Sequence, residues 1–241
     1  MQNQFDPRTT GANAASVGVP RAARDVGLRS YMLSVYNYMA SGVLLTGIVA
    51  LLFFSSGYAA QVMATPLRWL IIFAPLAFVM VMSFGMNRLQ TGTLQALFWA
   101  FAVAMGLSMS TIFLVYTGVS IAQTFFAVSA GFLGLSLYGY TTKKDLSGIG
   151  TFLIMGVVGL LVAMVINLFL QSSTMSLLIS GIGVLLFAGL TAYDTQKIKS
   201  MYAHVAGTDM MGKVVIMGAL NLYLDFINMF TFLLSFMGDR R

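Results

Sequence analysis

The fold is decided by residues 89–142, which read LQTGTLQALFWAFAVAMGLSMSTIFLVYTGVSIAQTFFAVSAGFLGLSLYGYTT and contain no charged side chain. A membrane-spanning helix needs about 20 apolar residues, because each residue advances about 1.5 Å through a hydrocarbon layer about 30 Å thick. The run is too long for one such helix and suits two, with a turn at Thr117 and Gly118. Residues 89–142 therefore predict two membrane spans.

A second uncharged run, residues 146–193, splits at the polar cluster of residues 171–174 into two further spans. With the apolar stretches on either side, the sequence predicts an all-α, seven-helix transmembrane domain. The predicted spans are residues 33–54, 67–86, 94–116, 119–140, 149–170, 176–196 and 214–237. Pro75 lies inside the second span and is expected to kink it. Glycines spaced three apart, such as Gly131 and Gly134, predict close helix packing.

The composition agrees with lipid as the main solvent of this chain. Hydrophobic residues make up 59% of the 241 residues and charged residues only 8%, whereas a soluble domain carries about 25% charged residues. The chain has no cysteine and one histidine. Disulfides and thiolate metal sites are therefore excluded and clustered-histidine sites are not expected. We expect no cofactor.

The basic residues act as topology signals. Of 13 Lys and Arg, ten fall on one predicted side of the membrane and three on the other. They lie between apolar runs rather than in one cluster, which excludes nucleic acid as a partner. Positive charge marks the cytoplasmic side, so the N-terminus is predicted inside and the C-terminus outside. A re-entrant seventh span would instead place Arg240 and Arg241 inside.

Residues 1–30 are polar and have no apolar core of about 7–15 residues, as a signal peptide would require. We predict a flexible N-terminal segment over residues 1–30, followed by a transmembrane domain over residues 31–241.

Asp225 is the most informative residue of the seventh span. It lies near mid-bilayer, where an Asp costs about 2.5–3.5 kcal/mol on insertion scales. Asn221 and Asn228 stand at i−4 and i+3, so all three side chains share one helix face. That face must point into the bundle or a water-filled cavity. It is either a functional site or a structural polar knot that locks helices together.

Asp194 lies near the C-terminal end of the sixth span. It is either an interfacial residue paired with Lys197 at i+3 or one half of a pair with Asp225. The connection between spans 6 and 7 is short, so the two helices are expected to be antiparallel neighbours. Two carboxylates in a low-dielectric site cannot both ionise easily, so the pair would share a proton or bind a cation instead. Calcium prefers oxygen ligands, which Asn221, Asn228 and backbone carbonyls could complete.

Three sequence segments carry a family resemblance. AYDTQKIK at residues 192–199, LYLDFIN at 222–228 and KKDLS at 143–147 resemble the signature of bacterial members of the Bax inhibitor-1 family. The likeness covers about residues 31–237. It implies a seven-helix bundle with the last helix near the centre. It also implies a pH-sensitive calcium leak across the bacterial inner membrane.

In that family the two aspartates, here Asp194 and Asp225, form the proton-sharing pair. The family pattern includes an Arg in span 2 near this pair. Arg88 or Asn87 occupies that position here, so Arg88 is the candidate counter-charge. Some members are partners of a membrane-bound protease, which implies a second hypothesis of a regulatory protein without transport.

An enzyme is the third class of function that the sequence raises. Intramembrane aspartyl proteases use two Asp on adjacent helices, with a Tyr-Asp on one, and Tyr193-Asp194 fits that half of the pattern. The other half requires Gly-x-Gly-Asp, whereas residues 222–225 read LYLD. We therefore expect no enzymatic activity.

Overall fold

The computed structural model describes residues 21–241, and seven of its helical segments are long and apolar enough to cross a membrane. The described helices are α1 (Arg21–Ser55), α2 (Tyr58–Met63), α3 (Leu67–Gly85), α4 (Thr91–Met109), α5 (Ile112–Val115), α6 (Gly118–Thr141), α7 (Ser147–Leu170), α8 (Ser173–Val205) and α9 (Met210–Met237). The third span comprises α4 and α5. The prediction of an all-α, seven-span membrane protein is confirmed.

The ends of the helices differ from the predicted spans, because apolar composition marks the part of a helix in lipid and not the whole helix. α1 begins at Arg21, so residues 21–30 are helical rather than flexible. The sequence RAAR at its start consists of strong helix formers. Residues 1–20 of the predicted flexible segment lie outside the described residues. α8 likewise continues past residue 196 to Val205.

The third span is interrupted between α4 and α5, which the sequence did not predict. The hydroxyl of Ser110 donates to the carbonyl of Leu107 at 2.7 Å, and that of Thr111 donates to Ser108 at 3.1 Å. Such bonds compete with the helical backbone and weaken a helix locally. Pro75, by contrast, does not end α3, which continues to Gly85.

α9 lies at the centre of the bundle and packs against α1, α4, α6 and α8. In its most apolar window 72% of residues are buried inside the protein, against 39% or less in each other span. The predicted central position of the last helix is confirmed. Thr46 of α1 donates to the carbonyl of Ala102 in α4 at 2.9 Å. A hydroxyl has one proton, so Tyr223 of α9 donates to Thr46 at 2.6 Å.

α9 runs from one end of the bundle to the other. At its far end, the backbone N–H of Thr117 donates to the carbonyl of Asp239 at 3.1 Å. The backbone N–H of Arg241 donates to the carbonyl of Val115 at 2.9 Å. At the opposite end, the Tyr31 hydroxyl donates to the carbonyl of Ile198 at 3.2 Å, so the start of α1 lies beside the end of α8. This course of α9 agrees with a full crossing by span 7 rather than a re-entrant one. Which end faces the cytoplasm stays a prediction.

A close approach between the backbones of two helices involves a glycine outside the pairs with the predicted spacing. A Cβ on Gly139 of α6 would collide with the backbone carbonyl of Ala192 in α8, whereas a Cβ on Gly131 or Gly134 would meet no described atom. The spacing of Gly131 and Gly134 therefore does not mark a helix interface. In the second pair with this spacing, Gly156 lies against Leu186 of α8, where a Cβ would be 2.7 Å from Cδ2, and Gly159 meets no described atom.

Candidate functional site

The two aspartates are neighbours where α8 packs antiparallel against α9, and their carboxyl groups are close enough to interact with each other. Asp225 is 4% exposed and Asp194 is half-buried. An ionised carboxylate only accepts hydrogen bonds, so a bond between two carboxyl groups requires one proton between them. The structure therefore brings the predicted pair together, and the sharing of a proton between the two carboxyl groups stays a prediction.

One carboxyl oxygen of the pair receives no hydrogen bond from an ordinary donor. Oδ2 of Asp225 is buried, and no N–H or O–H group in the described part of the chain donates to it. Buried polar atoms are nearly always satisfied by protein, water or an ion. Among residues 21–241 there is no cluster of three or more His, Cys, Asp or Glu side chains that could hold a metal. The binding of calcium by Asp194 and Asp225 stays a prediction.

Asn221 and Asn228 lie half-buried on α9 on either side of Asp225. No hydrogen bond joins either amide to the two carboxyl groups among the residues that the structure describes. Their role as a supporting polar face stays a prediction.

The likeness of this chain to known proteins extends over its whole helical domain. The domain matches the family described as "Inhibitor of apoptosis-promoting Bax1" over residues 28–241. The chain belongs to the Bax inhibitor-1 family. The resemblance seen in the three sequence segments is therefore confirmed.

Relatives of this Bax inhibitor-1 family member match over nearly their full length. The inner membrane protein YbhL of Escherichia coli is 44% identical over 230 residues, which cover 94% of this chain and 97% of YbhL. An uncharacterized protein of Rickettsia prowazekii is 49% identical over 219 residues, covering 90% of this chain and 92% of that protein. An uncharacterized protein of Caulobacter vibrioides is 43% identical over 251 residues, with 99% and 98% covered.

The charged surroundings of the pair in this family member come from α8 itself. Lys197, which is exposed, interacts electrostatically with Asp194. Arg88 and Asn87 are both exposed in the turn after α3. No contact supports Arg88 as the counter-charge, and that role stays a prediction.

Gln196 is a site-forming residue that sequence reasoning missed. Its Oε1 accepts from the backbone N–H of Leu146 at 2.9 Å, and its Nε2 donates to the carbonyl of Lys144 at 2.8 Å. Lys199, one turn further, donates to the carbonyl of Tyr140 at 2.6 Å. The loop after α6 is thus fixed to α8 within one turn of Asp194. The resemblance named both segments, but nothing in the sequence shows that they touch.

Proposed function

We propose that this Bax inhibitor-1 family member is a pH-sensitive leak for calcium and related cations in the bacterial inner membrane, gated by Asp194 and Asp225. The observation that carries the proposal is the buried carboxyl pair, one oxygen of which receives no hydrogen bond from an N–H or O–H group in the described part of the chain. An ionisable residue within a membrane span is a functional-site candidate by default. The relative YbhL is named an inner membrane protein, which supports the location. The proposal includes neither a cofactor nor an enzymatic reaction.

The gate works through the charge of the pair. With one shared proton, a hydrogen bond holds α8 to α9. Loss of that proton leaves two negative charges, and like charges about 4 Å apart repel by about 4 kcal/mol at an effective dielectric constant near 20. A bias of that size changes the ratio of closed to open molecules by about a thousandfold. The same charges attract calcium to the carboxylates.

Flux is therefore expected to rise with pH. The opposite sign would follow if an ion pair between Arg88 and an aspartate kept the bundle shut, because acid would then discharge the aspartate and open it. Arg88 is exposed in the turn after α3, and the charge acting on Asp194 from outside the pair is that of Lys197. These positions favour opening at higher pH.

The test is calcium flux into liposomes that contain only this protein, measured at several pH values. Asp225→Asn keeps the size of the side chain and removes its ionisation, so the pH dependence should become flat. Asp209→Asn removes an exposed aspartate before α9 and should leave the pH dependence unchanged. A folded Asp225→Asn protein with the wild-type pH profile would remove Asp225 from the mechanism.

Two further results bear on the other classes of function. A folded wild-type protein without flux at any pH would favour the regulatory hypothesis, in which the protein modulates a membrane-bound protease and the pair is structural. A peptide-cleavage assay on the same preparation should show no activity.

A further inference from the structure

The contact between α8 and α9 continues past the aspartate pair toward the loop between α7 and α8, and its character changes from turn to turn. Beyond Asp225 and Asn228, the rings of Phe187 and Phe232 stack with their centroids 5.8 Å apart and their planes at 22°. One turn further, the hydroxyls of Ser180 and Ser235 hydrogen-bond at 3.1 Å. On α9 these positions are three or four residues apart, so they share one helix face. Along the contact between α8 and α9, which we call the seam, the aromatic pair thus separates the polar residues around Asp225 from the polar residues around Ser235.

A cleft of about 410 Å³ lies on the far side of this aromatic contact, between α7, α8 and α9. Phe232 forms part of its wall, so the same ring faces the cleft and stacks on Phe187. The polar side chains that line the cleft are uncharged, and they are Asn167, Gln171, Ser176, Ser180, Thr231 and Ser235. Polar side chains within spans face protein or a water-filled cavity. The hydroxyls of Ser180 and Thr231 donate to carbonyls of their own helices, but the cleft reaches Gln171 at the turn between α7 and α8. The chain leaves its apolar spans at that turn, so water can enter the cleft there.

We propose that this cleft is the second mouth of the cation pathway, a site for a hydrated divalent cation, and that Phe187 and Phe232 form the barrier between it and the aspartate pair. This inference rests on the proposed function. Neutral amide and hydroxyl oxygens replace water around a hard cation without holding it tightly. A hydrophobic constriction stops ions by excluding water from a short length of the path.

The ring of Phe232 packs directly against the backbone of α8 at Gly183. A Cβ added at Gly183 would lie 2.6 Å from Cγ of Phe232, so Phe232 could not keep its place beside any larger residue. Gly183→Ala should displace the ring from Phe187. Gly181 is the matched control, because a Cβ there would lie 3.4 Å from the ring of Phe236, an ordinary contact distance.

Thiol labelling tests the barrier without any transport. The chain has no cysteine, so each single-cysteine variant carries one thiol. A membrane-impermeant maleimide is added to oriented vesicles on the side of the α7–α8 loop. Ser235→Cys, in the cleft, should react, whereas Asn228→Cys, beyond the rings, should be protected. Adding Phe232→Ala or Gly183→Ala should speed labelling of Asn228→Cys about fivefold, and Gly181→Ala should not. Equal labelling of Asn228→Cys with and without these changes would overturn the barrier.

Calcium flux in liposomes separates failure of the barrier from failure of the proposed function. Phe232→Ala and Gly183→Ala should raise flux about fivefold and keep its pH dependence, because the aspartates remain. Flux that depends on pH but does not change in either variant would contradict the barrier alone. Absence of flux in the wild type would contradict the proposed function and the cation pathway. The labelling would still decide whether the two rings block access to residue 228 from the cleft. If Phe232→Ala does not fold, Gly183→Ala provides the same comparison.

Discussion

Asp194 and Gln196 have different roles on one turn of α8. Asp194 faces the carboxyl group of Asp225, whereas both ends of the Gln196 amide bind backbone atoms of the loop after α6. Because Gln196 fixes this loop, it holds the end of α6 against the turn of α8 that carries Asp194. Gln196 is therefore a positioning residue for the site.

Replacing Gln196 by Leu keeps most of the side-chain volume and removes two hydrogen bonds. The free energy of unfolding should fall by about 1–3 kcal/mol, since a typical hydrogen bond contributes about 0.5–1.5 kcal/mol. Thermal unfolding in detergent measures this change. Gln61→Leu alters an exposed glutamine in α2 and is the control. Equal melting temperatures for the two variants would show that the loop is not held by Gln196.

At the scale of helices, α6 and α8 are positioned by a close backbone approach. Gly139→Ala would force a Cβ into the carbonyl of Ala192, and crowding of this kind typically costs about 1–3 kcal/mol of stability. Gly131→Ala on the same helix meets no described atom, and alanine is favoured over glycine in a helix by about 1 kcal/mol. Thermal unfolding should therefore show a loss for Gly139→Ala and none for Gly131→Ala. A loss at Gly131 that equals or exceeds the loss at Gly139 would contradict the α6–α8 contact.

The sequence predicted the elements of the fold better than their ends and contacts. Two uncharged runs located four of the spans and the apolar stretches on either side located the other three, because insertion into lipid depends mainly on apolar composition. The helical conformation of residues 21–30 and the break before Ile112 depend on local backbone bonding, which hydropathy does not report. The spacing of the glycines indicated helix faces lined by small residues, but only the packed structure shows which glycine contacts a neighbouring helix.

The same difference holds for the site. The short connection from α8 to α9 was enough to predict that Asp194 and Asp225 meet. Two contacts could not be predicted: the hydrogen bonds from Gln196 to the loop after α6, and the stacking of Phe187 on Phe232. Each depends on how the helices are rotated about their axes.

At the scale of the whole molecule, the C-terminus lies at the end of the bundle opposite the start of α1. The distribution of basic residues then predicts a cytoplasmic N-terminus and an outer C-terminus. Tags at both ends of the full chain, tested for protease accessibility in intact cells, should be protected at the N-terminus and cleaved at the C-terminus. The reversed result would contradict the charge rule for this chain. Two tags on the same side would contradict the crossing of α9.

The central claim is that a proton shared by two buried aspartates controls a cation path, and the pH dependence of calcium flux tests it most directly. Wild-type protein is reconstituted alone in liposomes, and the initial rate of calcium entry is measured at one calcium gradient over a series of pH values. The account predicts a steep rise in rate as pH increases through the range in which the pair loses its shared proton. A measurable rate that does not change with pH, or that falls as pH increases, would contradict it.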